Sequence, residues 1–187
     1  GKYNIYNSML AIIILNNIGF KLNKIIKIIR KINSPKGRSE VIRYGSNYII
    51  VDYAHTPDAI KNILNSVCEF KKSKVYTIVG CGGNRDKSKR SDMGLISTNL
   101  SDYVIFTNDN PRFEDPYKIV DDIVSNLNKD NYEIILDRSL AIKKGISYLK
   151  KKDILLILGK GHENYQIVND TKKHFDDCEE VLRYIKK

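Results

Sequence analysis

The sequence has little that would connect it to a membrane, a disulfide framework or a metal. Its longest apolar run, Met9 to Leu15, is too short to cross a bilayer, and no small-residue cleavage site follows it. The three cysteines are odd in number and widely spaced, without a CxxC pair, so neither disulfides nor a zinc site are indicated. The three histidines lack the spacing of metal ligands. We therefore expect a chain that stays out of membranes, resides in a reducing cytoplasm and binds no metal.

Two familiar phosphate-binding motifs are also missing. Gly80, Gly82 and Gly83 do not have the GxGxxG spacing, and the run Gly159-Lys160-Gly161 lacks the Ser or Thr of a P-loop. By itself, the chain contains no phosphate cradle that its sequence identifies.

The formal net charge of +10 raises the question of nucleic-acid binding. Basic side chains must cluster if they are to release counterions from a phosphate backbone. Here the lysines are dispersed along helix-like stretches, without aromatic interleaving or the spacing of an RNA- or DNA-binding module. Solvated helix faces are the favoured interpretation, and we expect no nucleic-acid partner. A basic nucleic-acid-binding domain is the alternative from a different functional class.

The length allows one complete core and a short extra piece, since 42% of the 187 residues are hydrophobic. From Ile5 to Phe20 and from Leu22 to Ile32, apolar residues recur at helical spacing and predict a helical hairpin. At Pro35-Lys36-Gly37 the pattern changes to short strands. We therefore expect two parts, residues 1–33 and 34–187.

Beyond this boundary, predicted strands alternate with predicted helices. Three strands, Val75 to Val79, Val104 to Phe106 and Ile154 to Leu158, are continuous apolar runs, as expected where crossover helices bury both faces of a sheet. The alternation predicts an α/β fold with a doubly wound, mostly parallel, Rossmann-like sheet. The other predicted strands are 41–44, 48–52 and 132–136, a short hairpin spans 166–175, and the predicted helices are 57–70, 91–100, 116–127, 139–149 and 177–185.

Three of these strands end in polar loops, at residues 80–87, 108–112 and 159–163. Ligands of doubly wound sheets bind beyond the carboxyl ends of the strands, so the loops should converge on one edge. Arg85 and Arg112 offer forked donors for carboxylates, and Glu163 offers an acceptor for an ammonium group. Such a cleft is complementary to a zwitterion with several carboxylates, such as an amino acid. The alternative is that both arginines form ordinary surface ion pairs; convergence of three loops favours a site.

Six motifs along the chain occur together and in the same order in one known family. They are Gly37-Arg38-Ser39-Glu40, Asp52-Tyr53-Ala54-His55-Thr56-Pro57-Asp58-Ala59, Gly80-Cys81-Gly82-Gly83-Asn84-Arg85-Asp86, Asp109-Asn110-Pro111-Arg112, Gly159-Lys160-Gly161-His162-Glu163-Asn164-Tyr165-Gln166 and Phe175-Asp176-Asp177. With these motifs the chain resembles the Mur ligase family, and within it the MurE-type UDP-N-acetylmuramoyl-tripeptide synthetases, over effectively its whole length. Asn84 stands where an Asp is usual, and Ser88 where a Gly is usual.

The resemblance implies the C-terminal portion of an ATP-dependent, amide-forming ligase. That ligase adds meso-diaminopimelate to UDP-N-acetylmuramoyl-L-alanyl-D-glutamate in peptidoglycan synthesis. Residues 1–33 would be the tail of the central ATP-binding domain, and residues 34–187 the C-terminal amino-acid-binding domain. ATP and Mg²⁺ are expected in the intact enzyme, with the metal ligands and the site for the UDP-linked dipeptide outside this chain. The fragment is expected to be monomeric, to hold no catalytic residue and to be inactive alone.

By the same resemblance, seven residues would form the meso-diaminopimelate site. Asn110 and Arg112 would hold the distal carboxylate, and Arg85 the carboxylate near the attacking amine. Glu163 and the carbonyl of Gly159 would hold the remote ammonium group. Two more residues would shape the loop, namely Asp109 and Pro111.

A second set would contact the nucleotide, namely Asn7, Arg38, Asp52, Tyr53 and His55. Asp52 could equally cap the helix that begins near Pro57. Lys160 and His162 could meet phosphate or shape their loop.

The distal carboxylate separates the favoured substrate from its rivals. A lysine-adding relative has no such group to bind, so Arg112 would be a desolvated and unpaired charge there. The sequence therefore favours meso-diaminopimelate. A lysine-adding tripeptide synthetase and a folylpolyglutamate synthase domain are the alternatives within the enzyme class.

Overall fold

The chain forms two compact units, Gly1–Pro35 and Lys36–Lys187. The computed structural model describes residues 2–32 and 34–186. In the first unit, helices α1 (Lys2–Asn17) and α2 (Leu22–Ile29) form the expected helical hairpin. The residue after α1 that reverses the chain is Gly19, whose φ of +99° is readily available only to glycine. The assignment of this unit to the tail of a central domain stays a prediction.

The second unit is built on a six-stranded sheet in the order β1-β2-β6-β3-β4-β5. The β1–β2 pair is antiparallel, and all other neighbours are parallel. The strands are β1 (Glu40–Tyr44), β2 (Asn47–Asp52), β3 (Val75–Val79), β4 (Tyr103–Phe106), β5 (Tyr132–Ile134) and β6 (Ile154–Leu158), and a separate hairpin contains β7 (Tyr165–Val168) and β8 (Thr171–His174). The prediction of a mostly parallel α/β sheet is confirmed.

Helices cover both faces of the sheet. They are α3 (Pro57–Cys68), α4 (Arg90–Leu100), α5 (Pro116–Val124), α6 (Arg138–Tyr148) and α7 (Asp177–Ile185). Successive residues of a strand point to opposite faces, so Leu156 packs with α3, α4 and α5, whereas Leu155 and Ile157 pack with α6 and α7. This two-sided burial explains the continuous apolar runs in the sequence. Every predicted element is present, with bounds that differ by at most three residues. None of the helices that the described residues form is long and apolar enough to cross a membrane.

The topology places a crevice between β3 and β6. These two strands are neighbours, but β3 leads into α4 on one face of the sheet and β6 leads towards α7 on the other. The loops that follow them therefore separate at the carboxyl edge, which is where doubly wound sheets bind their ligands.

The β7–β8 hairpin holds the loop that follows β4. Arg112 pairs with Val168 as an isolated bridge. Its N–H donates to the carbonyl of Ile167 at 3.1 Å, and its carbonyl accepts from the N–H of Asn169 at 2.8 Å. The backbone of Arg112 is thus fixed, in a left-handed conformation with φ of +52°.

A buried ion pair fixes the ends of two strands. Nε of Arg138, the first residue of α6, lies 2.7 Å from the carboxylate of Asp177, and both side chains are completely buried. The same guanidinium donates to the carbonyl of Leu158 at 3.0 Å and to that of Asn108 at 3.4 Å. Arg138 therefore connects the carboxyl ends of β4 and β6 to α7.

We predict that Arg138→Met lowers the free energy of unfolding by about 3 kcal/mol or more, because it leaves the Asp177 carboxylate buried without its cation. Urea denaturation monitored by circular dichroism measures the loss. The matched control is Arg183→Met, since Arg183 is 62% exposed and pairs with Glu180 at 3.5 Å. It should change stability by less than about 0.5 kcal/mol. Equal losses of unfolding free energy in the two variants would contradict the prediction that the buried ion pair stabilises the fold more than the exposed one.

Candidate functional site

A cavity of about 280 Å³ opens at the carboxyl edge of the sheet, between the loops that follow β3, β4 and β6. Six of the seven residues predicted to bind the amino acid line it: Arg85, Asp109, Asn110, Arg112, Gly159 and Glu163. The seventh, Pro111, is buried and lines a separate cavity. The fold thus brings together the two arginines and the glutamate that the sequence placed on three different loops.

Glycine allows the loops after β3 and β4 to pack backbone against backbone. A Cβ atom on Gly83 would lie 1.9 Å from the carbonyl oxygen of Pro111, and one on Gly80 would lie 2.2 Å from that of Thr107. The N–H of Gly83 donates to the carbonyl of Asn110 at 2.9 Å. No side chain fits at either position without moving the loops apart, so these glycines set the width of the cavity.

The guanidinium of Arg112 is anchored on one side only. Its Nη1 donates to the carbonyl of Gly83 at 2.8 Å and to that of Asn110 at 3.4 Å. Neither Nε nor Nη2 forms a hydrogen bond within residues 2–32 and 34–186. An oriented arginine with free donors suits a carboxylate ligand.

Arg85 lies in the exposed part of the loop after β3 and also lines the cavity. Within the part of the chain that the structure describes, neither Arg85 nor Arg112 forms an ion pair with a carboxylate. The alternative of ordinary surface ion pairs therefore has no support from these residues. Lys89 adds a third cationic side chain to the lining.

The acidic side of the cavity contains Glu163 in contact with Asn110. The Nδ2 atom of Asn110 donates to Oε2 of Glu163 at 2.9 Å. Oδ1 of Asn110 accepts from Nζ of Lys160 at 3.1 Å and from the N–H of Ile167 at 2.9 Å. One amide hydrogen of Asn110 is left for a ligand, and Oε1 of Glu163 has no hydrogen bond among the described residues.

Of the two roles expected for Lys160, the structure supports shaping of the loop, because the side chain is completely buried.

Cys81 lines the cavity but is not suited to nucleophilic chemistry. Burial raises the pKa of its thiol to about 12, and its Sγ lies 3.6 Å from the sulfur of Met93. A thiol that stays protonated at neutral pH is a poor nucleophile.

The residues predicted to contact the nucleotide lie partly together beside the same cavity. The guanidinium carbon of Arg38 lies 4.5 Å from the centre of the Tyr53 ring. That ring also contacts the rings of His55 and His162, with centroid distances of 4.5 Å and 4.9 Å. Tyr53 and His55 line the cavity. Asn7 is exposed on α1, in the first unit, and its role stays a prediction.

Asp52 is largely occupied by contacts within the protein. Its Oδ2 accepts from the N–H of Ser39 at 2.7 Å, and its Oδ1 accepts from the N–H of Ala54 at 2.8 Å. The helix that Asp52 was expected to cap is capped by Thr56, which accepts from the N–H of Ala59. The capping alternative for Asp52 is therefore wrong, and its contact with the nucleotide stays a prediction.

The sequence did not reveal the role of Arg90, a buried residue whose hydrogen bonds hold two of the loops around the cavity. Arg90 is 1% exposed and donates to the carboxylates of Glu114 and Asp122 at 2.9 Å and 2.8 Å. It also donates to the carbonyl of Gly82 at 3.1 Å, and Glu114 accepts from the N–H of Asn84. The network joins the loop after β3 to the loop after β4. The three charged residues lie far apart in the sequence, so no local pattern indicated it.

No group of three His, Cys, Asp or Glu side chains that could hold a metal ion occurs among the described residues.

Comparison with known proteins gives the class. The family described as "Mur ligase, glutamate ligase domain" matches residues 37–161, so the chain belongs to the Mur ligase family. A solved structure titled as that of a UDP-N-acetylmuramoyl-L-alanyl-D-glutamate--2,6-diaminopimelate ligase superposes with a TM-score of 0.80 at 37% identity, over 100% of this chain and 39% of the other. A folylpolyglutamate synthase of Thermotoga maritima shares the fold, with a TM-score of 0.66 at 23% identity over 85% of this chain and 36% of the other.

Curated relatives carry the same ligase name. The chain is 45% identical to UDP-N-acetylmuramoyl-L-alanyl-D-glutamate--2,6-diaminopimelate ligase of Clostridium tetani, over 99% of this chain and 39% of the relative. It is 47% identical to the enzyme of the same name from Bacillus cereus, over 96% of this chain and 37% of the relative. The chain thus spans about two fifths of the length of these relatives.

We predict that Glu114→Gln lowers the free energy of unfolding by about 2 kcal/mol at pH 7, because the buried Arg90 loses a charged partner. The hydrogen bond from Arg90 lowers the pKa of Glu114 from 4.5 to about 2. A depressed pKa stabilises the fold fully above the unfolded value, and this stabilisation is lost as the pH falls from about 4.5 towards 2. The difference between wild type and variant should shrink over that interval.

Urea denaturation at several pH values measures this difference. Glu179→Gln is the control, since Glu179 is 60% exposed, and it should stay within about 0.5 kcal/mol of wild type at pH 7. A Glu114→Gln protein as stable as wild type at pH 7 would contradict the role assigned to the network.

Proposed function

We propose that this chain is the amino-acid-binding portion of an ATP-dependent ligase that adds meso-diaminopimelate to UDP-N-acetylmuramoyl-L-alanyl-D-glutamate, in the cytoplasm, during peptidoglycan synthesis. The observation that carries the proposal is the cavity itself. It places two guanidinium groups with free donors and one carboxylate with a free oxygen around about 280 Å³. A small molecule with two carboxylates and a remote ammonium group complements this set.

The distal carboxylate is assigned to Arg112, whose Nε and Nη2 carry the free donors. Because Nη1 is held by two backbone carbonyls, the plane of the guanidinium is set before a ligand arrives, and less conformational entropy is lost on binding. The remaining amide hydrogen of Asn110 supports the same carboxylate. Arg85, which is exposed and has a flexible side chain, is assigned to the carboxylate near the reacting amine.

The remote ammonium group is assigned to Glu163 and the carbonyl of Gly159. Gly159 has a φ of +115°, and a Cβ atom there would lie 3.6 Å from Oδ2 of Asp109. Glu163 and Arg112 both contact Asn110, so an acceptor for an ammonium group lies near donors for a carboxylate. This arrangement suits the distal end of diaminopimelate, where both groups are on one carbon, and favours a zwitterion over a neutral or singly charged ligand.

Arg112 distinguishes the proposed substrate from lysine. Lysine has the same remote ammonium group but no carboxylate beside it, so the free donors of Arg112 would be desolvated without an acceptor. Glutamate is the amino acid that a folylpolyglutamate synthase would add. Its single amine is the reacting one, so it has no second ammonium group for Glu163. Lysine would thus leave Arg112 without a carboxylate, and glutamate would leave Glu163 without an ammonium group.

The nucleotide is assigned to the surface formed by Arg38, Tyr53 and His55. A guanidinium stacked on an aromatic ring and an exposed imidazole offer donors to phosphate and a face to a ribose or base. Mg²⁺ would be held outside this chain, as would the UDP-linked dipeptide.

In the proposed reaction, the amine of diaminopimelate attacks an acyl phosphate formed from ATP and the D-glutamate carboxylate. A C–N bond forms and phosphate leaves. The residues of this chain bind both carboxylates and the second amine, which orients the attacking amine, and orientation alone supplies a large part of such a rate enhancement.

We predict that isothermal titration of this chain with meso-diaminopimelate gives a binding signal that L-lysine does not match. Arg112→Ala should weaken the binding of meso-diaminopimelate about tenfold to a hundredfold, because it removes a charge-assisted pair of hydrogen bonds. Arg43→Ala removes an equal charge from β1, away from the cavity lining, and should leave the affinity unchanged. Equal affinities for the two amino acids, or an Arg112→Ala protein that binds like wild type, would refute the assignment.

We also predict that the chain releases no ADP when it is given ATP, Mg²⁺, the UDP-linked dipeptide and meso-diaminopimelate, because it spans about two fifths of its relatives. Addition of meso-diaminopimelate to the dipeptide by the 187-residue chain alone, detected by mass spectrometry, would contradict this expectation.

A further inference from the structure

Lys160 is a buried cation that does not line the cavity. Its side chain is completely buried, and its Nζ lies 3.0 Å from Oδ1 of Asp109, 3.1 Å from Oδ1 of Asn110 and 3.8 Å from Oε2 of Glu163. Removing an ammonium group from water is costly unless it is fully paired. Its partners are therefore held firmly, and all three belong to the predicted amino-acid site.

Lys160 and the N–H of Ile167 together fix which way the amide of Asn110 points. A side-chain amide has an accepting oxygen and a donating nitrogen of nearly equal size, so its orientation depends on its neighbours. Lys160 and the N–H of Ile167 both donate to Oδ1. The nitrogen must then lie towards Glu163, and it donates to Oε2 at 2.9 Å.

The cluster also has a specific charge. Asp109 and Glu163 contribute two negative charges, and Lys160 contributes one positive charge at contact distance from both. The sum is one negative charge, which a single ligand ammonium group neutralises. Without Lys160 the cluster would hold two carboxylates and no cation of its own, and Oδ1 of Asn110 would keep one donor, the N–H of Ile167, instead of two.

We propose that Lys160 is a positioning residue that, through the amide of Asn110, holds Glu163 with one oxygen occupied and the other free for the remote ammonium group of the amino acid. This inference rests on the proposed function. It assigns selectivity for the second amine to a side chain that the ligand never touches.

The test compares two ligands that differ in that amine alone. L-2-aminopimelate has both carboxylates and the reacting amine of diaminopimelate but lacks the remote ammonium group. Isothermal titration of the full chain with each ligand gives a ratio of affinities, in which losses common to both ligands cancel. The wild-type chain should prefer meso-diaminopimelate by about tenfold or more.

Lys160→Met replaces the ammonium group with an apolar group of similar length. It should reduce the preference to about twofold or less, mainly by weakening the binding of meso-diaminopimelate. Glu163→Gln should reduce the preference in the same way, and the double variant should lose little more than either single variant, because both act on one interaction. Asn110→Ala, which removes the amide and keeps Lys160 with Asp109, should also abolish the preference if Lys160→Met does not fold.

The other possible outcomes distinguish failure of this inference from failure of the proposed function. If Lys160→Met or Asn110→Ala weakens both ligands equally and keeps the preference, the two residues act on the structure as a whole, and the inference is overturned while the proposed function stands. An additive double variant overturns it as well. If the wild-type chain binds neither ligand, or shows no preference, the proposed function fails and the inference fails with it.

Discussion

Charge buried beneath the carboxyl edge of the sheet fixes the loops that line the cavity. Three completely or almost completely buried cations, Arg90, Arg138 and Lys160, lie under this edge. Arg90 holds the loop after β3, Arg138 holds the ends of β4 and β6, and Lys160 joins the loop after β6 to the loop after β4. A buried cation tolerates no loss of partners, so each one resists displacement of its loop. The cavity is thereby shaped before a ligand binds.

The charged residues that line the cavity have fewer partners than the three buried cations. Each buried cation is paired with at least one carboxylate, although Nε of Arg90 has no hydrogen bond among the described residues. Arg112 and Glu163 instead keep free hydrogen-bonding atoms that line the cavity. Arg112 and Asn84 also adopt φ of +52°, a conformation that costs non-glycine residues about 1 kcal/mol or more. The hairpin contacts of Arg112 and the contact of Asn84 with Glu114 offset that cost. Unsatisfied charge and backbone strain thus occur on the loops that line the cavity.

The sequence predicted most of what depends on local pattern. Apolar runs predicted the buried strands, and three polar strand ends predicted the convergent loops. The cap of α3 was not predicted, since the sequence offered Asp52 and the structure has Thr56. What it could not predict depends on contacts across long separations. Arg90 pairs with Glu114 and Asp122 only because α4 and α5 pack together, and Asp52 turns from α3 to Ser39 because β1 lies beside β2. Such pairs leave no periodic signal.

The cavity assigned to the amino acid and the surface assigned to the nucleotide share a wall that contains Tyr53. Tyr53 and His55 line the cavity assigned to the amino acid, and the ring of Tyr53 supports Arg38 on the surface assigned to the nucleotide. Gly161 contacts this wall closely, since a Cβ atom there would lie 2.6 Å from the Cβ of Tyr53. Gly161 directly follows Lys160, so the wall is packed against the same loop that positions Glu163. The wall formed by Tyr53 and the side chain of Glu163 are therefore held by one short loop, so neither can be displaced without moving residues next to the other.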